Sequence, residues 1–347
     1  MKKAELALTQ AWQNESKALM ALAPLSAAYG AISRARKALY QSGVISTYQA
    51  PVSVLIIGNI TVGGSGKTPL IIALLKILMQ QDAQVGVISR GYGGDASSMP
   101  RLVLPDSMPD QVGDEPCLIV QSVYASTGKQ VPMAVGADRK AAIELLLHHH
   151  PKIRLIISDD GLQHYALHRD LEWIVVDAAR GFGNQKLLPQ GFLREPISRL
   201  EGATVIYHDK AEAAYSDDAL VMTLQPSALE PLMSDCHQMP PQSGSRVYAV
   251  SGIGHPQRFF DTLGSLGFEV LPQPFGDHHE FKLADLMALD ELPIIITAKD
   301  AVKIRSLAVQ HPEYSALFER IWVLPVEARF SEALLAAIEA LKLRYQI

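Results

Sequence analysis

One stretch restricts the fold of this chain more than any other: VSVLIIG (52–58) runs straight into NITVGGSGKTP (59–69) and then into the apolar LIIALLKILM (70–79). An apolar strand, a glycine-rich turn and an apolar helix, with Gly66, Lys67 and Thr68 at the junction, are the parts of a phosphate-binding loop. Consecutive backbone N–H groups at a helix start, reinforced by the helix dipole, make a ready anion site. In such a loop Thr61, Val62, Gly63, Gly64, Ser65, Gly66, Lys67 and Thr68 surround the phosphates, Lys67 reaches the outer ones, and the Thr68 hydroxyl ligates Mg²⁺. The general pattern GxxxxGK[ST] asks for glycine where this chain has Thr61. Pro69 does no harm, because the N–H it lacks would have no intrahelical acceptor in the first turn.

The rest of the chain agrees with that start. VGVIS (85–89), VPMAVGA (131–137), LIIS (155–158) and WIVVD (173–177) are continuous apolar runs, as expected of strands buried on both faces, and helix candidates at 69–81 and 139–149 lie between them. The pattern predicts an α/β fold, a P-loop NTPase-type doubly wound, mostly parallel sheet. Further strands are expected at 247–254, 268–275, 293–300 and 321–326, in a second, smaller α/β domain beyond a polar linker at 225–245. The expected division is 1–50 for an N-terminal helical segment, 51–225 for the P-loop core and 226–347 for the smaller domain; 347 residues suit two domains of about 100–200 residues each.

Residues 18–33 are 16 uncharged positions followed by RARKALY. That is short of the ~20 apolar residues that span a bilayer. Two readings stay open: an amphipathic helix at a lipid interface, with Arg34, Arg36 and Lys37 meeting anionic headgroups, or a helix packed on the domain with a solvated basic edge. The formal net charge of −5 argues against a nucleic-acid binder. Cys117 and Cys236 lie far apart without CxxC spacing, so neither a disulfide framework nor a zinc site is expected, and a reducing setting fits. The N-terminus lacks a signal-peptide pattern, so secretion is not expected. His148, His149 and His150 precede Pro151, where imidazoles suit a helix C-terminus better than a metal.

A P-loop needs an acid on the metal side, commonly at the end of an apolar strand. LIISDDG (155–161) supplies Asp159 and Asp160, although Asp-Asp-Gly is by itself an ordinary turn. VGDEP (112–116) places Asp114 and Glu115 before an apolar run, where helix capping competes with a chemical role. FGDHHEF (275–281) offers His278 and His279 in what is otherwise a turn, and LLPQGFLREP (187–196) carries Arg194 and Glu195 in a loop suited to ligand contact. TAKD (297–300) misses the guanine-binding spacing by one place and is not guanine recognition. Motor and helicase readings lack their further motifs, which leaves a small-molecule or lipid kinase with a base for the acceptor hydroxyl.

The ordered set GNITVGGSGKTP, SRGYGG, VGDEP, SDDGLQH, DAARGFGN, LLPQGFLREP, SGIGHPQRFF, DHHEF and TAKDAVK resembles the tetraacyldisaccharide 4′-kinase family of lipid A biosynthesis. The resemblance implies an ATP- and Mg²⁺-dependent kinase acting on the 4′-hydroxyl of an acylated glucosamine disaccharide 1-phosphate, with no nucleic acid and no obligatory protein partner. It implies a peripheral enzyme on the cytoplasmic face of the Gram-negative inner membrane, meeting that anionic surface through its N-terminal helix. By the same resemblance Lys67 and Thr68 hold phosphate and metal, and Asp159 and Asp160 lie on the Mg²⁺ side. Asp114 with His278 or His279 forms the base pair, and Arg194 and Glu195 contact nucleotide, metal or sugar. Neighbouring residues in extended chain point apart, so only one of the two histidines can face Asp114. A P-loop ATPase switch that recruits a partner to the membrane is the alternative, but it gives no role to Asp114, DHH or LREP.

Overall fold

A computed structural model describes residues 8, 11–12, 16–209, 218–233 and 238–347. The chain builds a large sheet first. β1 (Ser53–Gly58), β2 (Val85–Ser89), β3 (Arg101–Leu102), β4 (Met133–Val135), β5 (Leu155–Asp159), β6 (Leu171–Asp177), β7 (Thr204–His208) and β8 (Leu220–Pro226) all belong to it. The smaller sheet takes β9 (Glu230–Pro231), β10 (Arg246–Ser251), β11 (Glu269–Pro274), β12 (Ile294–Thr297) and β13 (Ile321–Leu324), in the order β11-β10-β12-β13-β9. The chain then returns: β14 (Val326–Phe330) pairs antiparallel with β8 and completes the larger sheet, in the order β14-β8-β7-β6-β1-β5-β2-β4-β3. In the larger sheet the pairs of β1 with β5 and β6, of β2 with β4 and β5, and of β7 with β6 and β8 are parallel.

The expected α/β class therefore holds, with its physical reason visible in β1. Leu55 and Ile57 face one core, with Leu70, Ile71, Leu74 and Leu78 of α2 (Lys67–Gln80). Val54 and Ile56 face the opposite core, with Ile143 and Leu146 of α4 (Arg139–His149). A strand covered on both sides must be apolar at every position. The chain changes sheet between Pro226 and Glu230, at the start of the stretch read as a linker.

The smaller unit expected at 226–347 departs from the structure at its far end. Residues 326–345 return to the larger sheet, and α7 (Glu332–Tyr345) buries Leu334, Ile338 and Leu341 in the core shared with β1 and α2. Four further helices matter for the site: α1 (Ala23–Gln41), α3 (Asp114–Thr127), α5 (Pro256–Ser265) and α6 (Ala298–Gln310). Val302 of α6 is buried in the larger sheet's core, which brings α6 against that lobe. His148 and His149 form the last turn of α4, and the Cys117 thiol is buried and donates to Ser107 O. Cys236 lies outside the described residues.

Candidate active site

Parallel pairing puts the carboxyl ends of β1 and β5 side by side, with Ile57 opposite Asp159 and the Asp160 N–H donating to Ile57 O at 2.9 Å. The glycine-rich turn leaves β1 at that edge. Gly63 and Gly66 both have φ 92, a conformation that side chains resist, and Gly66 caps α2. A Cβ on Gly66 would also lie 2.8 Å from His208 Nδ1. Thr61 needs no such freedom. It bridges Leu193 antiparallel and its hydroxyl accepts from Asn59 Nδ2 at 3.2 Å. The Val62 N–H donates to Phe192 O, and Arg180 Nη1 donates to Val62 O at 2.6 Å. Residues 61 and 62 are thus struts at the loop's entrance, while Gly64 faces open space and the buried Ser65 hydroxyl has no partner. This is why the first glycine of the general pattern is dispensable here.

Lys67 Nζ lies 3.1 Å from Asn59 Oδ1 and 3.4 Å from Asp160 Oδ1. Asp160 is held again by Arg194 Nη1, at 3.0 and 3.1 Å from its two oxygens. Burial pushes its carboxyl upward, but the Lys67 and Arg194 charges outweigh it and hold Asp160 below the ordinary carboxylate range. Asp160 has φ 46, in the left-handed region that non-glycine residues avoid. Asp159 is the opposite case. It is 1% exposed, accepts from Ser89 Oγ with one oxygen, and leaves Oδ1 without a partner. Burial first, then the Glu115 and Asp160 charges, push it up to about 7. An orphaned buried carboxylate oxygen beside a second carboxylate fits a hard, oxygen-seeking cation such as Mg²⁺, which takes few protein ligands and completes its shell with water and phosphate. Among the described residues no group of three or more His, Cys, Asp or Glu forms a fuller cage.

The second lobe reaches this edge. Gly254 comes up against Gly64 and Asp277, where an added Cβ would lie 3.7 Å from Gly64 N and 3.1 Å from Asp277 Oδ2. His278, one residue on, has φ 54 and places Nδ1 3.3 Å from Asp114 Oδ2. His279 turns the other way, with Nε2 3.0 Å from Asp285 Oδ2 and its ring between Phe275 and Phe281. Geometry thus pairs Asp114 with His278 and leaves His279 in the small lobe's own packing. Asp114 is 8% exposed and opens α3, whose cap is Gly113, so the helix-capping reading does not describe it. Burial raises its proton affinity, yet the His278 hydrogen bond and then the charges of Lys303 and Lys299 hold its carboxyl below the usual range.

Arg194 and Glu195 part company. Arg194 faces the acid pair, whereas Glu195 is 6% exposed and accepts from Gln163 Nε2 at 2.8 Å and Tyr165 OH at 3.0 Å, with Arg199 beside it. Glu195 therefore braces the loop from behind. Sequence reasoning missed Asn59, Ser89 and Gln163, whose side chains hold Lys67, Asp159 and Arg194. Asn59 and Ser89 both adjoin a strand's carboxyl end, the one signal that could have found them. A salt bridge also crosses between the lobes: Arg258 of α5 meets Asp177 at 3.1 Å and Asp209 at 3.3 Å.

A phosphate loop after β1, an acid pair on the adjacent strand and a carboxylate–imidazole pair contributed by two lobes define a protein of the P-loop phosphotransferase class. The chain belongs to the family described as tetraacyldisaccharide-1-P 4′-kinase, whose pattern it matches over residues 18–342. It is 53% identical to a tetraacyldisaccharide 4′-kinase of Psychrobacter arcticus, covering 94% of this chain and 92% of that one. The corresponding protein of Pseudomonas putida is 43% identical over 93% of this chain and 92% of its own length. A crystal structure of LpxK from Aquifex aeolicus in complex with ATP has the same fold, with a TM-score of 0.70 at 24% identity, covering 94% of this chain and 99% of that one.

Proposed function

We propose that this protein transfers the γ-phosphate of ATP to the 4′-hydroxyl of a tetraacylated glucosamine disaccharide 1-phosphate, giving the bisphosphorylated lipid of lipid A biosynthesis. The observation that carries the reading is the Asp114–His278 pair, because an ATPase switch has no use for a base built across two lobes. His278 takes the proton of the acceptor hydroxyl, while Asp114 orients the imidazole and supports its positive charge. The N–H groups of 63–66 and the Lys67 ammonium hold the phosphates, and Thr68, Asp159 and Asp160 hold Mg²⁺. When bound, Mg²⁺ supplies charge neutralisation between the transferred and leaving phosphates. Arg194, released from Asp160, has its guanidinium free for phosphate oxygens.

The N-terminal helix suits a lipid acceptor. Its small residues Ser26 and Gly30 are buried against the body, with Ser26 Oγ donating to Leu187 O. Leu25, Ala28, Ile32, Ala35 and Leu39, spaced 3 or 4 apart, are all exposed. Ile32 is 69% exposed, and Val44 beyond the helix 72%. An apolar stripe turned away from its own protein, flanked by Arg34 and Arg36, supports peripheral attachment to the anionic cytoplasmic face of the inner membrane. Among the described residues no helix is long and apolar enough to cross a membrane.

Transfer of labelled γ-phosphate to a disaccharide 1-phosphate lipid in detergent micelles tests the proposal. ATP turnover independent of that lipid, with no labelled lipid formed, would favour the switch.

A further inference from the structure

The motif TAKDAVK (297–303) has no part in the chemistry above, yet it carries the most heavily contacted lysine beside the Asp114–His278 pair. Thr297 caps α6, and its hydroxyl bonds with Asp300, both accepting from Asp300 N and meeting Oδ2 at 2.7 Å. Asp300 is fully buried and its Oδ2 also accepts from the Gly252 N–H at 3.0 Å. One turn further along, Lys303 Nζ stands 3.3 Å from Asp300 Oδ1 and 3.7 Å from Asp114 Oδ2, and donates to His279 O at 3.1 Å. The Phe281 ring closes the fourth side, with its centre 5.2 Å from Nζ. The ammonium thus donates one hydrogen bond, to the backbone beside His278, and stands in ion-pair range of two carboxylates, the buried Asp300 and the Asp114 of the pair.

We propose that Lys303 is the positioning residue of the acceptor-activating pair, fixing the Asp114 carboxylate from one lobe against the His278 loop of the other. The proposal rests on reading Asp114 and His278 as that pair. Asp300 is what makes the arrangement rigid. With a fully buried counter-charge, Lys303 cannot swing out to solvent without leaving that carboxylate unpaired. Its other bond, to the His279 carbonyl, holds the backbone of the turn in which His278 takes its left-handed conformation. One side chain therefore constrains both partners.

The other groups facing Asp114 are accounted for. From α6, Lys299 is committed to Glu115 at 3.3 Å and Asp277 at 3.6 Å. On its own helix the Cys117 thiol is pushed up to about 12, by burial and then by Asp114 and Asp110, and stays neutral. The Tyr92 ring packs edge-on to His278, 5.0 Å between centres. Among the described residues facing Asp114, Lys303 is the remaining cation, and its loss should make the Asp114 carboxyl bind a proton more readily.

The test is steady-state lipid phosphorylation across pH by the full chain with Lys303→Met, Lys303→Arg and the double change Lys303→Met with Asp300→Asn, with His278→Ala as reference. Lys303→Met should lower kcat about tenfold to a hundredfold, as misplacement of a reacting group does. KM for ATP should stay within about twofold, since the P-loop is untouched, and the acid limb of kcat should move to higher pH. Lys303→Arg should restore most of kcat and return the limb. If the single Met variant fails to fold because Asp300 is left unpaired, the double variant removes that charge too and should show the same displaced limb. A kcat loss with the limb unmoved, or one matched by a rise in KM for ATP, would mean that Lys303 merely supports α6, and the inference falls. Near-native turnover by His278→Ala would instead overturn the pair reading itself.

Discussion

Lys67 Nζ sits 3.4 Å from Asp160 Oδ1 with Asn59 on its other side, so the phosphate-loop lysine is already held where the acid pair begins. The lysine thus rests in a bound position rather than reaching into solvent, and in the proposed reaction ATP competes with Asp160 for it. Arg194 holds the same carboxylate, so Asp160 keeps a counter-charge when Lys67 is lost.

Lys67→Ala should therefore fold, while losing on the order of 10²–10³-fold or more in turnover, the scale of removing one preorganised electrostatic donor. Turnover and far-UV circular dichroism measured together check it. A folded variant with near-native turnover contradicts the phosphate-loop assignment.

Acid sensitivity should have a specific source in His164. Burial first, then the charges of Arg139, Arg169 and Arg36, push its pKa down from the ordinary imidazole value of 6.5 to about 4. A histidine depressed in this way binds fewer protons folded than unfolded between those values, so stability rises with pH across that window and is lost as pH falls from about 6.5 through about 4. His164→Gln should flatten urea midpoints between pH 4.5 and 6.5, an interval inside that window. A variant whose midpoints still fall as steeply as the parent's places the acid-sensitive group elsewhere.

The two sheets and the P-loop were legible because a strand covered on both faces needs a continuous apolar run, and β1, β2, β5 and β12 each carry one, with polar residues only at their ends. β14 was not. VEARF is exposed at Val326, Glu327 and Arg329, as an edge strand is, and nothing in five such residues says which sheet they join. The assignment to Asp114 was equally hidden: His278 and His279 are told apart by a left-handed turn and by Asp285, a partner six residues from His279. Glu195 read as a ligand contact because sequence cannot tell that Gln163 and Tyr165 wait behind it.

Asp114→Ala and His278→Ala should each lower kcat by roughly 10²–10⁴-fold, the span of general acid–base catalysis. The double variant should be little worse than either single one, since groups acting as a unit are non-additive. His279→Ala should leave kcat close to native and act on stability instead, through loss of Asp285 and the Phe275–Phe281 packing. Single effects that simply add on a log scale would separate Asp114 from His278 in function.

The proposed membrane attachment through α1 can be tested with its apolar and basic contributions separated. Arg34 and Arg36 are exposed, and Lys37 is half-buried with Nζ 6.0 Å from the Tyr165 ring centre. Replacing all three by Glu should weaken binding to anionic vesicles, each basic residue near such a surface contributing roughly 1 kcal/mol, with reversal adding repulsion. Ile32→Ser with Leu39→Ser should weaken binding to neutral and anionic vesicles alike, because it removes buried apolar area rather than charge. The buried side of the helix, Ser26 and Gly30, is unchanged in both variants, so micelle activity should persist while vesicle sedimentation falls. Salt should erase the difference between the parent and the Glu variant on anionic vesicles but leave the serine variant's deficit in place, since screening acts on charge alone. If sedimentation is unchanged for both variants, the exposed stripe of α1 is not what attaches this protein to a membrane.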